Sequence, residues 1–344
     1  FEWSSTHAWT GVPWGRLCLG QVRMLPILQS ASLLGSYFVT FLIVAVNGLF
    51  AMAILTAPKR VLCLVLAVVL FDANLMFGLI RMNRPVRQVK ETVTVAVIQG
   101  NINSHDKWSP DSYRNTMEIY GGKTREAAAA GAQLIVWPET ALPYDLSRNQ
   151  TLVEWLEALS RECHATLIVG ALWTDSEGRE YNSLFPVTPE EGLKSGNRYD
   201  KRHLVPFGEY VPMRKLITAL IPPLADLSAL DDDLTPGTSP ALFETEWGKI
   251  GSLICFDSIY ERLATDSVRD GAELMVISSN DSWFYDSAAV RQHLYQAQLR
   301  AIETGRNYVR AANTGISDII LWNGRSTAQI GALVSGMEVR TVAW

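Results

Sequence analysis

From Leu25 to Ala57 the chain carries no charged side chain, a run of about 33 residues, where about 20 apolar residues already suffice to carry a helix across a bilayer. No other feature restricts the fold so strongly, because a backbone lying in hydrocarbon must satisfy its own hydrogen bonds and so has to be helical. One spanning helix is expected over about 31–55. After Pro58-Lys59-Arg60 a second apolar run, 61–80, is interrupted only by Asp72. So short a loop between two such helices implies an antiparallel hairpin through the membrane. Asp72 is either a functional carboxylate or a residue turned toward neighbouring helices or a headgroup, and the second is the simpler expectation. The segment before Leu25, with Trp3, Trp9, Trp14, Arg16 and Arg23, reads as an interfacial stretch rich in aromatic anchors and not as a signal peptide. The chain opens on Phe1 and enters that stretch directly, so a fragment preceded by further spanning helices is expected.

Composition agrees with a membrane-attached protein: 48% of the 344 residues are hydrophobic and the mean hydropathy is +0.08. A net charge of −5 with no basic tract argues against nucleic acid as a partner. Cys18, Cys63, Cys163 and Cys255 lie far apart without a CxxC pair, so neither a zinc site nor a disulfide framework is indicated, and free thiols are expected. Charge leaves orientation contradictory. Lys59 and Arg60 draw the hairpin loop to the cytoplasm, while Arg81, Arg84, Arg87 and Lys90 draw the other end there as well.

Past Pro85 the character becomes that of a globular α/β domain, dividing the chain into a membrane region over 1–88 and a domain over 89–344. About 250 residues are enough for one substantial core. Alternation predicts a strand over 92–100. It is followed by a helix over about 110–130, a strand over 133–137, a helix over 152–163, and strands over 166–172 and 182–187. A Pro-, Gly- and Asp-rich region over about 193–245 reads as loop. Regular structure then returns with a strand ending at Cys255, a helix near 259–271, a strand over 273–278, a helix near 288–305, a strand over 307–312 and a final pair across the Asn323-Gly324 turn. This order suggests a layered sheet covered by helices.

Three islands carry chemistry. Ile254-Cys255-Phe256-Asp257-Ser258 puts a thiol at the C-terminal end of a buried strand, where open α/β sheets place reactive groups; such a cysteine is either a nucleophile or a small buried hydrophobe. Ile135-Val136-Trp137-Pro138-Glu139 runs a strand into a carboxylate that can serve as a general base or lie on the surface. Tyr199-Asp200-Lys201-Arg202-His203-Leu204-Val205-Pro206-Phe207-Gly208-Glu209-Tyr210-Val211-Pro212 is too broken by Pro and Gly for a plain helix or strand. There Lys201 can set a cation beside a developing oxyanion, with Glu209 holding the ammonium in position, or belong to an exposed basic cluster with Arg202 and His203, a reading weakened by the apolar residues just after it.

WPET, YDKRHLVPFGEYVP, ICFDS and Ser279-Asn280-Asp281-Ser282-Trp283-Phe284 together resemble, in order, the signature segments of the nitrilase (carbon–nitrogen hydrolase) superfamily. The KRHLVPFGEYVP run behind a membrane hairpin resembles, more narrowly, the apolipoprotein N-acyltransferases. The resemblance implies a nitrilase-like α-β-β-α sandwich preceded by transmembrane helices, with Glu139 as general base, Lys201 as oxyanion stabiliser, Cys255 as nucleophile and Glu209 as a supporting carboxylate. Trp108, Trp283 and Phe284 are its candidates for substrate binding. It also implies that no cofactor or metal is needed, a phospholipid acyl donor, a diacylglyceryl-apolipoprotein acceptor, and a ping-pong transfer through a Cys thioester. The expected location is the bacterial inner membrane, multi-pass, with the catalytic domain periplasmic. Two departures stand out: Phe256-Asp257 replaces the family's Tyr-Glu, and Tyr285 replaces a glycine. The family's first membrane helices and its C-terminal one are also missing. His203 and His293 sit in motif-like surroundings but are expected to make structural hydrogen bonds. A membrane-anchored nitrilase-type amidase, or a non-catalytic binding module on the same fold, remains as an alternative.

Overall fold

The computed structural model describes residues 2–7, 11–84, 92–103, 110–214 and 233–343. Its apolar hairpin consists of α1 (Ser36–Leu55) and α2 (Arg60–Met82), packed side by side and joined by a tight turn at Ala57–Lys59. Both are long and apolar enough to cross a membrane, and most of their surface is exposed, as lipid-facing helices require. The first begins later than expected. Gly35, at φ 76, separates a short helical turn, Ala31–Leu34, from α1. Asp72 lies on the exposed surface of α2.

The remainder is built on two sheets. The first has eight strands, ordered β14 (Gly336–Ala343), β1 (Thr92–Gln99), β2 (Leu134–Val136), β4 (Thr166–Thr174), β5 (Glu180–Thr188) and β6 (Gly192–Leu193); β3 (Leu142–Asp145) pairs with β4, and β7 (Tyr199–Asp200) with β5. The second has six strands in the order β13 (Ser326–Ile330), β12 (Ser317–Ile320), β11 (Asn307–Ala312), β10 (Leu274–Ser279), β9 (Gly248–Ile254) and β8 (Leu242–Thr245).

Period-two alternation sorts the side chains between layers. Val93, Val95 and Val97 of β1 meet Ile250, Ile254, Leu274 and Val276 of the second sheet in the central core. Ala96 and Ile98 point the other way, beneath α3 (Pro110–Ala129) and α4 (Gln150–Cys163). On the far side, Leu253, Met275 and Ile277 pack under α5 (Glu261–Arg269) and α6 (Ala288–Thr304). The layers are therefore helix, sheet, sheet, helix, as the family resemblance implies.

Four strands were not expected, β3, β6, β7 and β8, all of them short. The strand-like stretch at the end of the described chain is β14, which returns to pair antiparallel with β1 along its whole length. The stretch read as loop over about 193–245 contains β6, β7 and β8, while 215–232 lies outside the described residues.

The segment expected to be an interfacial anchor packs on the α/β layers. Cys18, Leu19, Val22 and Leu28 form a cluster with Val39 of α1 and with Leu299 and Ile302 of α6. This explains why α6 is buried on opposite faces, from Val290 and Leu294 under the sheet to Leu299 and Ile302 under the N-terminal segment. Arg16 is 3% exposed and ion-paired with Glu261. A buried charge needs such a partner.

Candidate active site

The ends of β2, β7 and β9 converge at one edge of the paired sheets. Glu139 follows β2 in a turn that presses against β4. A Cβ on Gly170 would lie 2.3 Å from Pro138 O and 2.9 Å from Glu139 Cα, so only glycine lets the turn come this close. Thr140, next in sequence, has φ 42. Lys201 follows β7, its N–H bound to Asn182 O at 2.9 Å and its carbonyl to Gly237 N at 2.8 Å. Cys255 follows β9 with φ 48, a left-handed conformation costly for a side chain with a Cβ. Its thiol leaves the strand at a sharp turn into the Cys255–Ile259 3-10 segment.

Lys201, 1% exposed, holds its ammonium 2.9 Å from Glu139 Oε1 and 2.9 Å from Glu209 Oε1. Asn182 Nδ2 bridges the same two carboxylates, donating to Glu139 Oε1 at 2.8 Å and to Glu209 Oε1 at 3.1 Å. The remaining oxygens are held by backbone: Asn280 N–H donates to Glu139 Oε2 at 2.8 Å, and Val205 N–H to Glu209 Oε2 at 2.8 Å. Burial alone would lower the lysine's proton affinity, but Glu139, Glu209 and Cys255 hold it well above the ordinary value. Lys201 is therefore a fixed cation.

Burial and the Glu139 carboxylate push the Cys255 thiol well up, against an opposing pull from Lys201 and a hydrogen bond with Ser279. The resting group is a neutral thiol that needs a base to attack anything. A carboxylate, a cation and a thiol within mutual electrostatic reach make an arrangement able to perform nucleophilic acyl chemistry. An ammonium has three protons; two point at Glu139 and Glu209, which leaves one for an incoming oxygen.

The structure brings Glu139, Lys201, Glu209 and Cys255 together. Trp283 is 66% exposed, two residues beyond Asp281, whereas Phe284 packs against Trp14 at 5.2 Å between ring centroids. Trp108 lies outside the described residues. Tyr285 adopts φ 48 and ψ −138, so the loop keeps a glycine-type backbone under a tyrosine side chain.

Asn182 was missed by sequence reading, since it sits mid-strand with no spacing signal. Asp257 was seen only as a departure. It is fully buried and accepts hydrogen bonds from Tyr199 Oη at 2.8 Å, His203 N at 2.7 Å and Ile254 N at 3.1 Å. These donors flank Lys201 and Cys255, so one carboxylate ties the lysine turn to the cysteine turn. Burial raises Asp257 to about 6, opposed by Lys201 and its hydrogen-bond donors. His203 stacks on Tyr260 with ring centroids 3.8 Å apart.

Cys255 Sγ also lies within 4.8 Å of ligand atoms of Asp281 and His293. The cluster is poorly suited to a metal ion. Arg310 Nη2 donates to Asp281 Oδ2 at 2.7 Å and sits 3.3 Å from His293 Nδ1, placing a permanent positive charge where the ion would go.

Comparison with known proteins bears on this geometry. A mutant of the Nesterenkonia sp. AN1 amidase, with a covalent adduct at its active-site cysteine, superposes with a TM-score of 0.55 at 15% identity, covering 76% of this chain and 93% of the amidase. Saccharomyces cerevisiae Nit3, a member of the nitrilase superfamily, gives 0.55 at 19%, covering 76% of this chain and 92% of Nit3. In sequence, the chain is 38% identical to the apolipoprotein N-acyltransferase of Geobacter metallireducens over 93% of its own length and 62% of the relative's. It is 34% identical to that of Gloeobacter violaceus, over 96% and 62%. The chain thus spans less than two thirds of the length of these relatives. The apolipoprotein N-acyltransferase N-terminal domain model matches residues 1–49. The carbon-nitrogen hydrolase model matches 94–335, from the first strand through every turn that supplies the clustered carboxylates, lysine and thiol, and the chain belongs to that family.

Proposed function

We propose that this chain is the catalytic part of an apolipoprotein N-acyltransferase, which moves a fatty acyl group from a phospholipid through a Cys255 thioester to the α-amine of a diacylglyceryl-cysteine lipoprotein. The observation that carries the reading is the buried lysine between two carboxylates beside a neutral thiol, on a domain packed directly onto an apolar hairpin. Glu139 takes the proton from Cys255 as sulfur attacks the ester carbonyl, and the Lys201 ammonium offsets the charge on the tetrahedral oxygen. Collapse expels the lysophospholipid, whose oxygen receives that proton. In the second half the lipoprotein amine attacks the thioester, Glu139 accepts its proton and returns it to the departing sulfur, and an amide results. Glu209 and Asn182 keep Lys201 and Glu139 in register.

On this reading residues 1–88 form the membrane region and 89–344 the catalytic domain, in the inner membrane of a bacterium with the domain on the periplasmic side. The hairpin brings a lipid donor and a lipidated acceptor to one surface. No cofactor enters the scheme, since nucleophile, base and cation are all side chains.

The test is mass spectrometry of the detergent-solubilised chain after incubation with phospholipid. A mass increase of one acyl group on the Cys255 peptide is expected, discharged by a diacylglyceryl-cysteine peptide and absent in Cys255→Ala. Discharge by water as fast as by the lipidated amine would favour a membrane-anchored amidase. Failure to acylate at all would remove the assignment.

A further inference from the structure

Cys255 keeps its left-handed backbone because the chain is held on both sides of it. One peptide before the cysteine, Asp257 takes the Ile254 N–H. On the far side the Cys255 carbonyl accepts from Ser258 Oγ at 2.7 Å and faces His293 Nε2 at 3.1 Å, and that same nitrogen is 3.0 Å from Ser258 Oγ. The other face of the ring is fixed by Asp281 Oδ1, 2.8 Å from Nδ1. Asp281 in turn accepts from Ser279 Oγ at 2.6 Å and Arg310 Nη2 at 2.7 Å. These residues are buried: His293 and Asp281 are each 1% exposed and Arg310 is 0%. Space for the carboxylate exists because residue 315 is glycine; a Cβ there would lie 2.0 Å from Asp281 Oδ2.

The neighbour of Asp281 reaches the other reacting group, since Asn280 N–H holds Glu139 Oε2. One dipeptide after β10 thus grips the carboxylate with its first residue and, through His293, the carbonyl of the cysteine with its second. We propose that His293, oriented by Asp281 and Arg310, is a positioning residue that holds the Cys255 turn in its left-handed state and fixes the separation between Glu139 and the thiol. The inference rests on Cys255 being the nucleophile proposed above. A ring nitrogen of His293 comes within 4.8 Å of Cys255 Sγ, but its hydrogen bond goes to the Cys255 carbonyl, and it acts through that group. A misplacement of about 1 Å between base and nucleophile costs on the order of 10²-fold in rate, so the clamp matters to chemistry more than to stability.

The experiment follows two rates in the detergent-solubilised chain: thioester formation from phospholipid, and carboxamidomethylation of the Cys255 peptide by iodoacetamide as a function of pH. In His293→Phe, which keeps the ring volume and removes both nitrogens, thioester formation should fall about 10²-fold. The alkylation midpoint should meanwhile move down by about one pH unit or more, because a released turn lets the thiol leave the buried site next to Glu139. His293→Gln, which retains an amide donor, should recover acylation to within about tenfold of the unsubstituted chain, and Ser258→Ala should fall between. Buried Cys18 serves as the control for folding and should stay unmodified throughout. The proposal is overturned if His293→Phe acylates and alkylates as the unsubstituted chain does, or if Gln and Phe are equally impaired. An unsubstituted chain that forms no thioester, yet shows the alkylation shift in His293→Phe, would overturn the acyl-transfer reading and leave the clamp standing.

Discussion

Replacing Lys201 by methionine keeps the side-chain length and removes the charge, which makes it the most informative perturbation of the site. The ammonium is 2.9 Å from one oxygen of each carboxylate; at an effective dielectric of about 20, each contact amounts to about 6 kcal/mol of attraction. Most of that offsets the desolvation of three buried charges. Its loss leaves Glu139 and Glu209 sharing only the Asn182 amide. Breaking a buried ion pair from one side costs about 3–5 kcal/mol, so Lys201→Met should be destabilised by that much at neutral pH. In the unsubstituted chain the pH dependence is set by the lysine itself. Its folded proton affinity lies above the unfolded one, so its contribution is complete below the unfolded lysine value of 10.5 and is lost only as pH rises through the higher folded value. Thermal unfolding of the detergent-solubilised protein by tryptophan fluorescence, at about pH 8, reads the effect. Adding Glu209→Gln should return at least half of the lost stability, because it removes one unpaired charge. The acylation rate should fall by about 10²–10³ in Lys201→Met and stay low in the double variant. A variant as stable as the unsubstituted chain at pH 8, or a double variant no more stable than the single one, would refute the idea that Lys201 neutralises both carboxylates.

Asp257→Asn should cost about 1–3 kcal/mol, since an amide NH₂ would face the donors that now bind the carboxylate; with the native group raised to about 6, the native chain should lose stability between about pH 4 and about pH 6 as that aspartate ionises, and denaturant titrations should show this slope flattened in the variant. Glu261→Gln should weaken the junction between the membrane segment and α5 by about 3 kcal/mol, because buried Arg16 loses its charged partner. Burial opposes the ionised Glu261 but Arg16 and Arg300 hold it at about 2, so its contribution is present above the unfolded glutamate value of 4.5 and disappears as pH falls toward about 2; limited proteolysis across that window checks the sign. For topology, a membrane-impermeant maleimide should label Cys255 in intact cells carrying the full-length parent with Cys163→Ser, and labelling only after the inner membrane is permeabilised would place the domain in the cytoplasm.

The elements legible from the sequence were those whose reason is local. An uncharged apolar run identifies the hairpin, and alternation identifies β1, because Val93, Val95 and Val97 each meet the second sheet. The WPE and ICFDS turns are likewise readable, since each is a short apolar strand broken by a polar group, whereas the YDKRH turn is marked only by its charged residues ahead of a Pro- and Gly-broken run. β7 shows the opposite case. It is two residues long, too short for any alternation, and it is a strand because β5 offers it a partner. The docking of the N-terminal segment was not legible for a similar reason. Tryptophans and arginines suit a headgroup layer and a protein–protein face equally well, and the partners that hold this segment, Glu261 and the apolar face of α6, lie far along the chain.

The site divides along the same line. Glu139, Lys201, Glu209 and Cys255 each close a recognisable segment, so their chemistry could be listed before their distances were known. Asn182, Asp257, Asp281 and His293 could not be ranked that way, because each matters through what it holds. Asn182 acts on two carboxylates 43 and 27 positions away. His293 reaches a carbonyl 38 positions back. A sequence motif records the groups that react, whereas the groups that fix their separation come from whichever strands the topology happens to set beside them. In this chain β10 lies next to β9, so the turn after β10 falls beside the turn after β9. That adjacency sets Asn280 and Asp281 between the base and the nucleophile, and it explains how a cysteine at φ 48 can be kept in place without a glycine.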